Sequence, residues 1–419
     1  LMSSERFTQG EVRAIGRGGD AVVETARGVV FVPGALPGER VQIELTSSKR
    51  GAARGRLKRI DRPAPGRVDP ACPVATRCGG CPLMNADAAL QRDIKLGFLR
   101  DACRGLPGAQ EVEAEWVASA DALGYRRRAR LAWHGSTLGY RQLHSNRVTD
   151  IRECLVLRAP LQTAWVRARE ALAEVLQGAG EIQLQLTAEN RTVVGLTTDD
   201  DQGPALFDAC AALAEHAAIA GVTLRAGDSV TAASWGDTTV VIGSAEGELH
   251  GPPGGFSQAN DGINAALVQA VVDLAEPEGM RVLELHCGIG NFTVQLASRA
   301  PAALVAVERD PGAVEACRSN LERRGLQARI AVGDANQPPK GRYDVLVLDP
   351  PRHGARELFE KRDLPPRLKR IVYVSCDTAT LARDLRLVTA QGYRIDRVLG
   401  FDMFPQTAHL ESLVRLVRV

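Results

Sequence analysis

Residues 281–292 read RVLELHCGIGNF, and this stretch indicates the fold class of the C-terminal part of the chain. The apolar run Arg281–Leu285 is typical of a buried strand, and a helix-like segment follows the two glycines Gly288 and Gly290. Glycines at such a point let the backbone turn tightly and come close to a ligand. From about residue 255 onward, strand-like and helix-like segments alternate, so the sequence predicts an α/β fold with a doubly wound, Rossmann-like parallel sheet.

Polar residues follow each of the five strands predicted in this segment. The strands are Arg281–Leu285, Ala303–Val307, Arg329–Val332, Val345–Leu348 and Arg370–Ser375. Ligands of an open α/β sheet bind beyond the carboxyl ends of its strands. The residues found there are His286 before the glycine pair, Glu308, Asp334, Asp349 and Cys376. The sequence therefore predicts one ligand site along this edge of the sheet.

The glycine pair favours S-adenosylmethionine over a dinucleotide. Glu308 stands 18 residues after Gly290, where an acid can bind ribose hydroxyls. The third glycine of the dinucleotide motif is absent, because Thr293 occupies its position. An adenosyl group without phosphates therefore fits better, and we expect Asp334 near its adenine. A dehydrogenase is the alternative that the missing glycine disfavours.

Asp349-Pro350-Pro351 predicts a stiff loop after the fourth strand, because proline restricts its own φ and biases the preceding residue towards extended geometry. Such a loop would hold a carboxylate at the point of methyl transfer. Methyltransferases that act on exocyclic amines often carry a similar motif and need no cysteine, since nitrogen is already nucleophilic. An amine substrate is therefore one alternative.

Cys376 indicates a different reaction. A cysteine after a strand is usually a packed core residue. However, carbon 5 of a pyrimidine becomes nucleophilic only after a thiolate has added to carbon 6. Cys376 precedes a predicted helix, whose N-terminus can lower the pKa of a thiol. The reaction also needs a base, for which the last segment offers His409 and Glu411; their positions in the sequence do not show that they lie near Cys376.

Three cysteines in CPVATRCGGC, residues 72–81, have the spacing of metal ligands. They are Cys72, Cys78 and Cys81, and the fourth ligand would be Cys154 or, alternatively, Cys103. Four thiolates suit zinc or an iron–sulfur cluster, and the absence of paired CxxC motifs favours iron–sulfur. The remaining cysteines, Cys210, Cys287 and Cys317, are predicted to be packing residues.

The pattern along the chain predicts three domains. Residues 1–66 read as a small five-stranded β-barrel, and residues 67–254 as an iron–sulfur-binding and β-rich mixed domain. Residues 255–419 form the predicted sheet domain, against which 86–116 could pack. Within the central domain, EIQLQLTAENRTVVGLTTD predicts a hairpin, and SVTAASWGDTTVVIG is similar. Residues 86–104 have apolar positions at helical spacing.

Charge is balanced overall but clustered locally. The chain has 52 basic and 50 acidic residues among 419, for a net charge of +2. Eight basic residues lie between Lys49 and Arg67, against the single acid Asp61, and a second cluster comprises Arg126, Arg127, Arg128 and Arg130. Such clusters fit a polyanion partner, although they also occur on solvated surfaces. We find no apolar run long enough for a membrane span and no signal-like N-terminus, so we expect a cytoplasmic protein with no membrane partner.

Several motifs, in order along nearly the whole chain, resemble the RNA (uracil-5-)-methyltransferase family. GGFSQAN, HCGIGNFT, LDPPR, VYVSC and HLESLVRL are similar to its catalytic domain, and GGDAVVETARGVVFVPGALPGERV is similar to a TRAM domain, an RNA-binding barrel. CPVATRCGGC with Cys154 resembles the [4Fe-4S] ligands of the subgroup that methylates uridine in 23S ribosomal RNA.

The resemblance implies a role for each candidate residue. It implies that Cys376 is the nucleophile, that Glu411 is the base, and that Asp349 faces the uracil. It also implies a cofactor pocket lined by Gln258, His286, Gly288, Gly290, Asn291, Glu308, Asp334 and Asp349. The substrate implied is 23S rRNA, with tRNA or a non-catalytic RNA-binding role as alternatives, and the protein is expected to be a monomer.

One departure from the family lies beside the nucleophile. Asp377-Thr378 replaces the usual Asn-Pro. A carboxylate next to a thiol opposes thiolate formation unless it points away. The family also often has an aromatic residue at the position of His286 and asparagine at that of Asp334.

Overall fold

The structure is a computed structural model that describes residues 7–49, 52–227, 232–244, 247–252, 254–255, 257–361 and 364–419. Its residues group into two compact units. Unit 1 comprises Leu1–Phe98, Arg141–Thr149 and Phe404–His409, and unit 2 comprises Leu99–Tyr140, Asp150–Met403 and Leu410–Val419. Arg50 of the predicted basic run and Phe256 of GGFSQAN lie outside the described residues.

The N-terminal strands form a closed barrel in the order β1-β2-β3-β5-β4, which confirms the predicted five-stranded barrel. The strands are β1 (Phe7–Ile15), β2 (Ala21–Thr25), β3 (Gly28–Val32), β4 (Arg40–Lys49) and β5 (Ala52–Arg62). The barrel interior is filled by small β-branched side chains such as Val23, Val30 and Ile43. Leu90 and Ile94 of the predicted helix, α1 (Ala88–Cys103), pack against this cluster.

A seven-stranded sheet has the order β13-β12-β11-β10-β7-β8-β9. Its strands are β7 (Arg128–His134), β8 (Thr137–Arg141), β9 (Val148–Asp150), β10 (Ala179–Leu186), β11 (Thr192–Thr198), β12 (Ile219–Ala226) and β13 (Ala233–Gly236). Strands β10 and β11 are antiparallel neighbours, as the first hairpin motif predicts. Two helices, α2 (Ala159–Leu172) and α3 (Pro204–Ala214), which the strand motifs did not predict, place side chains such as Trp165 and Leu206 in the core of this sheet.

The second predicted hairpin is wrong. Strand β13 pairs with β12, whereas β14 (Val240–Ser244) pairs with β15 (Gly247–Gly251) in a separate sheet. The backbone N–H of Asp237 donates to Ala220 at 2.9 Å, so the chain stays bonded to β12 beyond the end of β13. The start of this motif, residues 229–231, lies outside the described residues.

The C-terminal sheet has eight strands in the order β18-β17-β16-β19-β20-β22-β21-β6. Its strands are β6 (Glu115–Val117), β16 (Arg281–Leu285), β17 (Ala303–Glu308), β18 (Arg329–Val332), β19 (Val345–Leu348), β20 (Arg370–Ser375), β21 (Tyr393–Phe401) and β22 (Glu411–Arg418). The associated helices are α4 (Asp261–Ala275), α5 (Thr293–Ser298), α6 (Pro311–Glu322), α7 (Arg356–Glu360) and α8 (Thr378–Thr389). The five predicted strands are present and parallel, which confirms the predicted sheet class.

The strand order places the expected ligand crevice. The chain runs outward from β16 through β17 to β18, and then returns to β19 on the other side of β16. Such a reversal opens a crevice at the carboxyl ends of the central strands. Among the described residues, no helix has the length and apolar character needed to cross a membrane.

Candidate active site

Cys376 lies between the end of β20 and the start of α8. Strand β20 is buried from Ile371 to Ser375, which fixes the direction in which the chain leaves the sheet. Asp377 is the N-cap of α8, because its Oδ1 accepts hydrogen bonds from the backbone N–H groups of Ala379 at 2.8 Å and Thr380 at 3.0 Å. The extra carboxylate is thus directed at the helix N-terminus, and Cys376 is left half-buried at the strand end.

The antiparallel pairing of β20 with β22 brings Glu411 beside Cys376. Ser375 is paired with Ser412 in this register. One step forward along β20 corresponds to one step back along β22, and those steps reach Cys376 and Glu411. The Glu411 side chain is buried, and its Oε2 has no hydrogen-bond partner among the described residues. A buried acceptor without a partner is costly unless a ligand or substrate supplies one.

Asp349 follows β19, which neighbours β20 on the side opposite β22, and it also lies near Cys376. Leu348, the last residue of β19, is paired with Tyr373 of β20, so the loop that begins at Asp349 starts near the end of β20. Arg352, three residues further along, has an exposed side chain whose positive charge acts on both Cys376 and Glu411. The stiff loop thus contributes both a carboxylate and a cation.

Burial raises the pKa values of all three groups, and the two carboxyl groups raise that of Cys376 further. Burial raises the pKa of Cys376 to about 11, with further increases from Glu411 and Asp349 and a decrease from Arg352. Burial likewise raises the pKa of Asp349 to about 7 and that of Glu411 well above its ordinary value. At neutral pH the Asp349 carboxyl is therefore about half protonated, and the Cys376 sulfur is a thiol.

The expected lowering of the Cys376 pKa by the helix N-terminus is therefore wrong. The Asp377 carboxylate already accepts from two of the free N–H groups of α8. Burial and two nearby acidic groups then outweigh Arg352, the cation that acts on the sulfur.

The loop after β16 has the features of a cofactor cradle. His286, Gly288 and Gly290 all adopt positive φ angles, of 64°, 55° and 97°. A Cβ atom on Gly288 would meet nothing within 4 Å, so the backbone there borders open space. The Glu308 carboxylate accepts from the Gly288 N–H at 3.1 Å and from the N–H groups of Arg309 and Asp310. Glu308 thus joins the glycine loop to the end of β17, at the edge of the sheet where an adenosyl ligand would bind.

The remaining predicted cofactor residues have distinct surroundings. Asn291 and Asn264 of α4 exchange two side-chain hydrogen bonds, of 2.9 and 3.0 Å, so Asn291 joins the glycine loop to α4. Asp334 is exposed and its Oδ1 accepts from the N–H of Asn336. Gln258 is half-buried just before α4. Burial lowers the pKa of His286, so its imidazole is neutral at pH 7.

Three functional candidates were not assigned from the sequence. Arg352 belongs to the quoted LDPPR motif, and its spacing from Asp349 could have drawn attention to it. Asp384 of α8 is fully buried, and its role is described below. Glu284 is a buried acid inside the apolar strand β16, where burial raises its pKa well above the ordinary value; an acid within an apolar run is the signal for such a residue.

The cysteine segment is in unit 1, whereas Cys154 is in unit 2. Among the residues described, no group of three or more His, Cys, Asp or Glu side chains could hold a metal ion. Gly79 nevertheless lets the backbone of the cysteine segment come close to that of Arg141. A Cβ atom on Gly79 would lie 2.9 Å from the carbonyl oxygen of Arg141, and the Gly80 N–H donates to the Cys78 Sγ at 3.3 Å. Such N–H to sulfur bonds are found where cysteine sulfur ligates metal.

Arginines of the second basic cluster form ion pairs and hydrogen bonds within unit 2. Arg127 is buried and bonded to Asp261 at 2.7 Å and to the Leu186 carbonyl oxygen, so it is not available to phosphate. The exposed Arg130 is bonded to Glu181. The expectation that this whole cluster contacts RNA is therefore wrong for Arg127, which joins β7 to the start of α4.

Comparisons with known proteins agree with this geometry. Three family models match: the methyltransferase small domain over residues 246–362, tRNA (Uracil-5-)-methyltransferase over 340–419, and the TRAM domain over 12–58. A 23S rRNA (uracil(1939)-C(5))-methyltransferase from Pectobacterium carotovorum is 36% identical, covering 99% of this chain and 92% of the relative. One of the same name from Alkalilimnicola ehrlichii is 36% identical, covering 92% of this chain and 90% of the relative.

A solved structure has the same fold along the chain. The tRNA (uracil-54, C5)-methyltransferase of Pyrococcus abyssi, in complex with S-adenosyl-L-homocysteine, superposes with a TM-score of 0.76 and is 24% identical. The match covers 98% of this chain and all of that one. Together with the extent and identity of the sequence relatives, these matches show that the chain belongs to the RNA uracil-5-methyltransferase family.

Proposed function

We propose that the protein transfers a methyl group from S-adenosylmethionine to carbon 5 of a uridine in 23S rRNA. The observation that carries this proposal is the β20–β22 register, which brings the buried carboxyl of Glu411 beside Cys376. A thiol and a base at one point suit a reaction that needs addition at carbon 6 and proton removal at carbon 5. The names of the relatives favour ribosomal RNA.

The chain's own residues account for the steps around the methyl transfer. Cys376 gives its proton to solvent, its sulfur adds to carbon 6, and the electron pair of the carbon 5–carbon 6 double bond makes carbon 5 nucleophilic. S-adenosylmethionine, when bound by the glycine loop and Glu308, supplies the methyl group. Glu411 then removes the proton from carbon 5, the double bond re-forms and the Cys376 sulfur leaves. Asp349 faces the uracil in this scheme.

The RNA would be bound partly by the barrel. The TRAM match and the exposed cations of β5 support contact with the phosphate backbone. The target uridine must leave its stack to reach the half-buried thiol. We propose that the protein works as a monomer in the cytoplasm.

Two alternative functions are supported by fewer features of the site. The same chemistry on tRNA is the second candidate, favoured by the substrate of the solved neighbour. An amine methyltransferase would need Asp349 but would have no use for the buried Glu411 beside Cys376.

The test measures 5-methyluridine by mass spectrometry after incubation with S-adenosylmethionine and unmodified 23S rRNA or tRNA. We expect product on 23S rRNA and none with Cys376→Ala. Product on tRNA alone would refute the ribosomal target and keep the reaction. Methylation that survives Cys376→Ala would refute the mechanism.

A second variant tests the base. Glu411→Gln should still add to carbon 6 and methylate but should fail to release the RNA, because the carbon 5 proton remains. We expect a covalent protein–RNA band on a denaturing gel, and its absence in Cys376→Ala/Glu411→Gln. A Glu411→Gln protein that turns over normally would contradict this role.

We further propose that Cys72, Cys78, Cys81 and Cys154 bind a [4Fe-4S] cluster with a structural role. The spacing of the first three and the N–H bond to the Cys78 sulfur support it. No catalytic step uses the cluster. Protein purified without oxygen should contain about four iron and four sulfide per chain, with lower content in Cys78→Ser. Zinc in place of iron would overturn the cluster assignment.

A further inference from the structure

The loop that carries Asp349 and Arg352 is held at both ends. Pro350 and Pro351 restrict the backbone of its first half. Its second half, residues 352–355, has no such restriction. Arg352 begins this second half, and its charge is the cationic contribution that acts on Cys376 and Glu411.

Helix α8 holds the second half through three side chains. The Thr380 hydroxyl lies 3.1 Å from the carbonyl oxygen of Arg352 and equally close to that of Asp377, so it can donate to either. Arg383 donates to the carbonyl oxygen of His353 at 2.7 Å. The third bond runs from the backbone N–H of Ala355 to Asp384 Oδ2, at 2.7 Å. These helix residues share one face, because their positions are three and four residues apart.

Asp384 also reaches the strand that leads to the nucleophile. Its Oδ2 accepts from the hydroxyl of Tyr373 on β20 at 2.6 Å, and its Oδ1 accepts from Arg383 Nε at 2.8 Å. The carboxylate is fully buried, so these bonds offset its desolvation. Gly354 fits the approach, since a Cβ there would lie 2.4 Å from Asp384 Oδ2 and φ is +73°.

We propose that Thr380, Arg383 and Asp384 are positioning residues, which hold the backbone of residues 352–355 on α8 so that the Arg352 guanidinium stays beside Cys376. The proposal rests on the proposed function in one respect, that Cys376 is the reacting thiol. It assigns to α8, which begins two residues after Cys376, the further role of positioning the cation that favours the thiolate.

The charged groups around Cys376 define what a displaced Arg352 should change. Glu411 and Asp349 oppose ionisation of the thiol, and Arg352 favours it. Asp377 is directed at the backbone of α8. Moving Arg352 away therefore leaves the acidic groups unopposed, and the thiolate fraction should fall.

The test follows alkylation of Cys376 by iodoacetamide at pH 8.5, quantified by mass spectrometry of the peptide that contains it. We expect Arg383→Ala to slow this alkylation about fivefold, because one partly screened charge interaction is lost. Arg386→Ala is the matched control. Arg386 lies on the exposed side of α8 and bonds to the Ala382 carbonyl oxygen of its own helix, so its removal should leave the rate unchanged.

A double-mutant cycle separates positioning from general loosening. Arg352→Ala should slow alkylation to a similar degree, and adding Arg383→Ala to it should have no further effect. An equal further effect in that background, or unchanged or faster alkylation in Arg383→Ala alone, would overturn the proposal. Thr380→Ala serves as a second, milder variant should Arg383→Ala fail to fold.

The assay uses neither RNA nor S-adenosylmethionine. A failed methylation assay with an intact cycle would therefore refute the proposed function and leave the positioning role standing. If the double-mutant cycle fails while methylation is normal, the positioning role is refuted and the proposed function stands.

Discussion

At the scale of single residues, the reactivity of Cys376 is set by its neighbours. A half-buried thiol with two acidic groups beside it is poorly ionised, and its pKa lies near 11. At neutral pH the sulfur is therefore mainly a thiol. The buried Glu411, with its raised pKa, likewise becomes a base only after losing a proton.

This pattern predicts a methylation rate that rises with pH. A carboxyl group with its pKa raised to about 7, as burial gives Asp349, is mostly protonated at pH 6 and mostly ionised at pH 8. Because Glu411 and Asp349 interact, the pair titrates together, and its ionised form is gained as pH rises. We expect kcat/KM to increase about tenfold from pH 6 to 8.

The control for this profile is Arg352→Gln. Arg352 lowers the pKa of Glu411, so its loss should move the profile to higher pH. A rate that is flat above pH 6 would mean that the carboxyl groups titrate at ordinary values, contrary to their burial.

At the scale of elements, the start of α8 shows that Asp377-Thr378, in place of the Asn-Pro expected from the resemblance, is compatible with the local fold. Asp377 caps the helix through two backbone N–H groups, a role that the asparagine usual in the family can also fill. The following Thr378 begins the helix where proline is usual, and a proline at that position is also compatible with a first turn. The departure is therefore conservative for the local fold.

Replacing Asp377 should show how much the helix cap contributes to the free energy of unfolding. Asp377→Ala should lower the free energy of unfolding by about 1 kcal/mol, because two N–H groups lose their acceptor, and Asp377→Asn by only a few tenths. The midpoint of urea unfolding, compared between the two variants, measures this difference. Equal midpoints would show that the cap contributes nothing.

At the scale of the whole molecule, folding reduces the number of basic side chains that are available to RNA. Acids elsewhere in the barrel pair with two cations of β5: Arg54 with Asp20, just before β2, and Lys58 with Glu44 of the neighbouring β4. Among the described residues, exposed Arg56 makes no ion pair with a carboxylate. Fewer cations are therefore available to RNA than the sequence alone indicates.

Arg56 is accordingly expected to contact phosphate. Arg56→Gln should weaken RNA binding and reduce the slope of log affinity against log salt by about 0.7 to 0.9. Arg13→Gln is the control, because Arg13 is exposed on the same barrel but bonded to Glu24. Binding measured by filter retention over a salt series decides the point, and an equal loss of slope in both variants would argue against a specific contact at Arg56.

Much of the architecture followed from local sequence. Apolar runs bounded by glycine and polar residues predicted β16, β19 and β20, because a strand buried on both faces needs such a run. The short β-branched runs of the first 62 residues likewise predicted the barrel. The motifs also identified Cys376, Glu308 and the glycine loop, since strand ends and glycines are local signals.

The tertiary structure decided which of these groups meet. Glu411 lies beside Cys376 through the antiparallel register of β20 and β22, and Asp384 joins Tyr373 to the Arg352 loop through a buried hydrogen-bond network. The sign of the Cys376 pKa shift and the burial of Arg127 were likewise beyond local reasoning. The physical reason is common to all four: burial, charge interactions and strand register depend on segments far apart in the chain, and only folding brings those segments together.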